Sequence, residues 1–384
     1  MNVLIVPSWY PSEFNNVTGS FFKEQAECIA KKGVKVSVLA INSLSIIDVL
    51  KHPLKSNIFK LKHYCENNVN TYVVNVCSFG LNKTNLFYTI YLKIFEYYYK
   101  TIKVELGKID VVHAHSFRHA GFACCKIIKN IPIIITEHNS AIILNKLTTK
   151  DIEHLKYSLE HSKTFICVSQ SLKNKVLELT KVNKSIITIP NVISDRFKYN
   201  NNVKKNNTFI FLSVSNLIPL KRVDILIKSF WVAFKNRDDV MLKIVGDGND
   251  ENRLKRMIQK LDLSNKVQLL GKIKREEILN VYNASHAFVM VSEHETFGVV
   301  YAESLMCGLP TIGTRNGGAE DILNCYGGYL CRVDSINDIS NTMLYVFNNY
   351  DRIDRLRIYE NASSRFSENI VINSIVDVYN GVAK

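Results

Sequence analysis

The sequence predicts an α/β protein made of two open parallel sheets, each covered by helices on both faces. Three observations carry that expectation. Short β-branched runs alternate with helix-length amphipathic segments along most of the chain. The alternation breaks at a polar stretch rich in Asn and Lys and then restarts. The length, 384 residues, is also large for one core, so two domains of similar size are the natural division.

The elements follow in order. VLIVPS (3–8) is the first strand, FFKEQAECIAKKG a helix closed by Gly33, and VKVSVLAI (34–41) the second strand. Strands are expected at 71–76 and 111–115, then at 132–138 after a helix, and again at 164–169 and 185–191. SDRFKYNNNVKKNN (194–207) has few apolar residues and reads as the linker. Beyond it, strands are expected at 209–216, 241–248, 266–271, 286–292 and 310–314, with helices between them. Two such domains aim the C-terminal ends of their strands at a central cleft, where ligands bind in sheets of this kind.

Composition narrows the class. Hydrophobic content of 47% and charged content of 22% describe an ordinary globular protein. The nine cysteines are an odd number without metal-type spacing, and the N-terminus MNVLIVPSWYP has neither a basic segment nor a long apolar one. Reduced thiols and a cytoplasmic location are expected. No apolar run approaches the ~18 residues of a membrane span. Residues 1–195 carry 24 basic and 14 acidic side chains, a net +10, while the remainder carries 25 and 21, a net +4. A basic first half points to an anionic partner. No helix-turn-helix, RNP-like motif or basic block with interleaved aromatics is present, which argues against nucleic acid.

Several motifs bear chemistry. In EHETFGVVYAE, Glu295 falls in a strand-to-helix loop, Phe297 and Gly298 open the helix, and Glu303 lies about a turn inside it. The N–H groups of Thr296, Phe297, Gly298 and Val299 would sit at a helix N-terminus, which suits a phosphate. Taken alone, the stretch fits equally two solvated glutamates beside a packed helix. In SVSNLIPLKR, Lys221 and Arg222 follow a strand and suit a diphosphate, or else simply begin a solvated helix. CGLPTIGTRNGGAED adds a second glycine-bearing loop, at Gly317 and Gly318. GDGND (246–250) lacks a dinucleotide fingerprint and reads as a structural turn. His113, His115 and His138 end strands of the first half, where single histidines are mostly structural. Gly19 precedes the first helix, where it admits a phosphate or marks an ordinary cap with Thr18 or Ser20. Segment 86–103 is aromatic, apolar and lysine-bearing, and suits either a packed helix or a membrane surface. No metal-binding pair appears, and no metal or cofactor is expected.

Taken in order, GSFFKEQ, ITEHNS, IPNVISDRF, SVSNLIPLKR, LKIVGDG, EHETFGVVYAE and CGLPTIGTRNGGAEDI resemble the family-4 glycosyltransferases over nearly the whole chain. The resemblance implies a GT-B fold of two Rossmann-like domains, at 1–195 and 208–366, joined by a linker at 196–207. A helix at 367–384 crosses back to the first domain. It also implies metal-independent, retaining transfer from a UDP- or GDP-linked sugar. Glu295 and Glu303 match the family's E-x7-E motif, Glu295 toward the transferred sugar and Glu303 toward the ribose. Lys221 matches the lysine on the donor diphosphate, Gly19 the N-terminal loop glycine, and His138 the histidine near the donor sugar. Thr296, Phe297, Gly298 and Val299 fall on the donor-binding turn. Asn216 stands where the family often has arginine, with Arg222 as the neighbouring cation. The expected partners are a nucleotide-sugar donor, a lipid-linked or surface-polysaccharide acceptor and an anionic membrane surface, the last implying a peripheral position on the inner face of the cell membrane. A nucleotide-sugar epimerase and a non-catalytic nucleotide-sugar-binding subunit are the alternatives.

Overall fold

The computed structural model describes residues 1–12, 19–51, 57–78, 84–201 and 207–383. Thr18, one of the two expected caps, lies outside them. The chain divides into two compact units. The first holds Met1–Val168, Leu172–Val192 and Val371–Lys384, and the second Ser169–Ser171 and Ile193–Ile370. The second unit therefore begins earlier than the polar stretch suggests. Ile193 bridges to Ser367, and the buried Phe197 ring packs edge-on against Tyr282 at 5.7 Å. Packing of those apolar residues outweighs the polar composition around them.

The first unit is built on strands β1 (Asn2–Pro7), β2 (Lys35–Leu44), β3 (Lys62–Glu66), β4 (Val69–Cys77), β5 (Val111–His115), β6 (Ile133–Glu137), β7 (Thr164–Cys167) and β8 (Ile187–Thr188). They form one sheet in the order β3-β4-β2-β1-β5-β6-β7-β8. All pairs are parallel except β3 with β4. The second unit holds β9 (Phe209–Val214), β10 (Val240–Val245), β11 (Val267–Leu269), β12 (Ala287–Met290), β13 (Thr311–Thr314) and β14 (Gly328–Cys331). Its order, β11-β10-β9-β12-β13-β14, is parallel throughout and doubly wound. Strands covered on both faces read as continuous apolar runs, as VLIVP and FIFLSV do.

The helices that matter below are α1 (Ser20–Lys31), α2 (Asn85–Leu106), α3 (Val223–Phe234), α4 (Val299–Met306), α5 (Gly318–Leu323) and α6 (Glu368–Val382). Helix α3 buries Leu226, Ile227, Phe230 and Phe234, an apolar face at helical spacing, against the sheet of the second unit. In each sheet, winding reverses beside the first strand of the unit. In the second unit that places the loops after β9 and β12 side by side, and in the first unit those after β1 and β5. Strand order thus decides which sequence motifs meet.

The GDGND turn is structural, as its sequence suggests. A Cβ on Gly246 would lie 1.9 Å from the Ser215 carbonyl oxygen, and one on Gly248 2.3 Å from that of Leu217. The turn clasps the loop after β9: Leu217 N–H donates to the Asp247 carbonyl, and Asp250 N–H to that of Leu217. Gly33 is a useful contrast. Its φ is +79°, yet nothing lies within 4 Å of an added Cβ. Gly33→Ala should cost only the left-handed backbone penalty of about 1–2 kcal/mol. Gly246→Ala should cost at least about 3 kcal/mol, because backbone must shift as well. Urea unfolding of both variants checks this, and equal costs would contradict it.

Candidate functional site

In the second unit, the loop after β9 forms a short 3-10 turn, Pro219–Lys221, and passes through Arg222 at φ 49° into α3. The loop after β12 runs from Val291 to Gly298 into α4. The Glu293 N–H donates to the Leu220 carbonyl at 2.9 Å, which ties the two loops together. The Lys221 ammonium then donates to Glu295 Oε1, with both side chains mostly buried. The sequence presents these two residues as separate candidates 74 positions apart, and the fold makes them an ion pair.

Arg222, the neighbouring cation, forms its own ion pairs. Its guanidinium pairs with Glu293 at 2.7 Å and Asp334 at 3.1 Å. Its left-handed backbone at the helix entry turns it away from the helical continuation that would follow Lys221 directly. Asn216 is exposed, and its carbonyl accepts from Ile218 N–H.

The turn at 295–298 is held from below by the second glycine loop. Glu295 N–H donates to the Asn316 carbonyl at 3.0 Å, and Glu295 bridges to Gly317. A Cβ on Gly318 would meet the backbone of Phe297 at 2.6–2.8 Å. The double glycine therefore supports the first motif by close backbone approach. Phe297 buries its ring against Phe366, which fixes the turn while leaving Thr296 and Val299 partly exposed on either side. Gly298 begins α4 at φ 89°, with Tyr301 2.6 Å from an added Cβ. No side chain caps that helix start. Tyr301 and Asn316 lock the floor: Tyr301 donates to the Met290 carbonyl at 2.8 Å, and Asn316 donates to the Tyr301 hydroxyl at 3.1 Å.

Glu303 lies inside α4 and is 4% exposed. Tyr282 donates to its Oε2 at 3.1 Å, and Arg275 reaches its Oε1 at 3.4 Å. Burial, together with the Glu303 charge, pushes the Tyr282 phenol far above its ordinary range, so it remains a donor. Arg275 and Tyr282 escape sequence reasoning. Both sit between β11 and β12, Tyr282 at an ordinary apolar position of its helix, and nothing in their neighbourhood marks a carboxylate partner.

In the first unit, Gly19 is itself the N-cap of α1, at φ 79° and without a side-chain cap, so Ser20 is not the cap. An added Cβ would lie 2.8 Å from the Trp9 carbonyl oxygen, so only glycine fits this approach. His138 follows β6, and its Nε2 shares a hydrogen bond of 3.2 Å with His115 Nδ1. The Phe21 and Phe22 rings lie 5.4 and 5.1 Å from the His138 ring. Glu137 is fully buried beneath them. It accepts N–H groups from Phe117, His138 and Asn139, and the Ser116 hydroxyl. Burial pushes its carboxyl above the usual range, although those four donors pull the other way. His113 plays a structural part, held between Tyr379 of α6 at 2.6 Å and Thr136 at 2.7 Å.

Among the described residues, no group of three or more His, Cys, Asp or Glu side chains is gathered as a metal would require.

These sites can be set beside known proteins. Residues 19–197 match the family model described as Glycosyltransferase Family 4, and residues 194–365 the one described as Glycosyl transferases group 1. An uncharacterized glycosyltransferase of Methanocaldococcus jannaschii is 31% identical over 282 residues, 72% of this chain and 76% of that protein. The chain belongs to the family-4 glycosyltransferases. The glycosyltransferase is also similar to N-acetyl-alpha-D-glucosaminyl L-malate synthase of Bacillus anthracis, at 26% identity over 72% of this chain and 76% of that one. Among solved structures, Anabaena HepE in complex with UDP-glucose aligns over 99% of this chain and 100% of its own, with a TM-score of 0.72 and 16% identity. The shared architecture is the GT-B fold of two parallel α/β units.

Two buried imidazoles of the glycosyltransferase give a pH expectation. Burial pushes His113 down to about 3, and His138 also to about 3 with the neighbouring His113 as a lesser cause. Both are neutral in the fold, whereas in the unfolded chain they take up protons below about pH 6.5. Their stabilisation is complete above that pH and is lost as pH falls toward 3. Unfolding free energy should therefore drop by up to about 1.4 kcal/mol per pH unit for each histidine. A series of urea midpoints from about pH 7.5 to 4.5 checks this, and a flat series would contradict it.

Proposed function

We propose that the protein transfers a sugar from a UDP- or GDP-linked donor, with retention and without a metal, to a lipid-linked or surface-polysaccharide acceptor. The observation that carries the reading is the Lys221–Glu295 pair beside the uncapped start of α4, at the point where winding reverses in the second unit. Ligands of open α/β sheets bind at that place. The leaving group is a nucleoside diphosphate, so stabilising its developing charge is the main chemical task. An ammonium has three donors. Lys221 can keep one on Glu295 and offer others to the diphosphate, while the amides at Phe297, Gly298 and Val299 receive a phosphate on the helix dipole. Glu295 accepts a hydroxyl of the transferred sugar. Glu303, oriented by Tyr282 and Arg275, accepts the ribose hydroxyls. In the retaining route the acceptor attacks on the face the diphosphate leaves, and the leaving phosphate takes the acceptor's proton.

The Anabaena structure with UDP-glucose supports a nucleotide-sugar donor. The Bacillus relative is named for malate, which is not a lipid, so soluble acids belong in the acceptor panel.

The test incubates the protein with a panel of nucleotide-sugars, with and without a chelator, and scores nucleoside diphosphate release. Turnover of one donor, unaffected by chelation, is expected. Lys221→Ala should lower kcat by about 10²–10³-fold. Glu303→Ala should mainly raise the donor KM, by about 10- to 100-fold. Unchanged kinetics in both variants would overturn the assignment. Melting shifts without turnover would indicate a binding subunit, and full turnover without any acceptor a hydrolysing epimerase.

A further inference from the structure

Helix α2 is apolar on two faces. Phe87, Tyr88, Tyr91, Phe95, Tyr98 and Ile102 are buried in the first unit. The opposite side carries Leu86, Ile90, Lys93, Tyr97, Lys100 and Val104, spaced four, three, four, three and four residues apart. That spacing draws one stripe along a helix. Every member is exposed: Leu86 is 59% exposed, Tyr97 65% and Val104 88%. Solvated helix faces ordinarily carry polar residues, so an outward row of large apolar side chains marks an interaction surface.

Exposed apolar side chains are not confined to the helix. Tyr98 donates its hydroxyl to the Phe59 carbonyl, and the Phe59 ring is 56% exposed. Of the fifteen large hydrophobic side chains found exposed among the described residues, nine lie between Ile46 and Val104. Charge selects the occupant. Lys93 and Lys100 stand within the stripe and Lys103 beside it, over the Tyr99 ring at 5.8 Å. The helix also carries Glu96, which pairs with Lys100 at 2.6 Å, and Glu105 beside Val104, leaving three lysines against two glutamates. Residues 1–195 as a whole carry the net +10 noted above. A second copy of this stripe would set lysines against lysines. An anionic bilayer accepts both parts, apolar side chains into the headgroup boundary and lysines onto lipid phosphates. No described helix is long and apolar enough to cross a membrane, so the contact is one that lies on the surface.

We propose that the outward stripe of α2 docks this protein on the surface of an anionic phospholipid bilayer. The inference extends the lipid-linked reading of the acceptor but does not depend on the reaction.

Vesicle flotation tests it. The full chain should float with vesicles containing about one-third phosphatidylglycerol and not with pure phosphatidylcholine. Binding should weaken when salt is raised from about 0.1 M to 0.5 M. The variant Lys93→Glu/Lys100→Glu should bind anionic vesicles at least about tenfold more weakly. Leu86→Ser/Ile90→Ser/Tyr97→Ser should lose binding while keeping the wild-type melting temperature, since these side chains are exposed. Both variants should keep the wild-type melting shift with the nucleotide-sugar donor. Failure of the wild type to float, or flotation of both variants like the wild type, would overturn the proposal. So would a concentration-dependent dimer that the serine variant abolishes, because that assigns the stripe to a second copy. Flotation without donor turnover would support this docking surface and count only against the proposed reaction.

Discussion

The ion pair between Lys221 and Glu295 exists because β9 and β12 are neighbours in the sheet. Seventy-four residues separate them in sequence, and the doubly wound strand order removes that distance. Taking either charge out of water alone costs several kcal/mol, and an opposite partner offsets most of that cost. The pair therefore fixes the geometry of two loops at once, and the Glu293–Leu220 backbone hydrogen bond keeps their register. Around it, the remaining parts look subordinate. Gly318 lets Phe297 approach, Asn316 holds the Glu295 amide, and Gly298 turns the chain into α4.

A ligand entering here meets a lysine that has spare donors, a helix start with no side-chain cap and a carboxylate already oriented by a phenol and a guanidinium. Preorganised charge of this kind is what a departing diphosphate requires, because donors already in place need no reorganisation when the bond breaks. Arg222 has partners that its sequence neighbourhood does not announce. Adjacent to Lys221 in the chain, it is committed to Glu293 and Asp334 by a left-handed residue at the helix entry.

Much of the fold was legible because buried parallel strands announce themselves as apolar β-branched runs. VVHAH matches β5 residue for residue, and FIFLSV is β9. The strands that escaped lack that signal. KHYCE, β3, is a mostly exposed edge strand with little apolar pattern, and GYLC, β14, is an edge strand that starts on a glycine and is buried only at Cys331. The E-x7-E spacing was legible as loop-plus-helix because Gly298 marks the junction. The partners of those glutamates were not. Tyr282, Arg275 and Asn316 reach the site through tertiary folding, and their local sequence says only that they belong to a helix or a loop. Helix α2 presented the reverse difficulty. Its composition suited both a buried helix and a membrane surface, and the structure shows one buried aromatic face and one exposed face bearing apolar side chains.

The central claim is that Lys221 and the start of α4 receive the donor's diphosphate. The most direct measurement compares melting shifts produced by nucleoside diphosphate and nucleoside monophosphate of the same base, for wild type and for Lys221→Ala. The account requires the diphosphate to stabilise the wild type much more than the monophosphate does, with that difference collapsing in the variant. Equal stabilisation by the two nucleotides, or a difference that survives in Lys221→Ala, would contradict it.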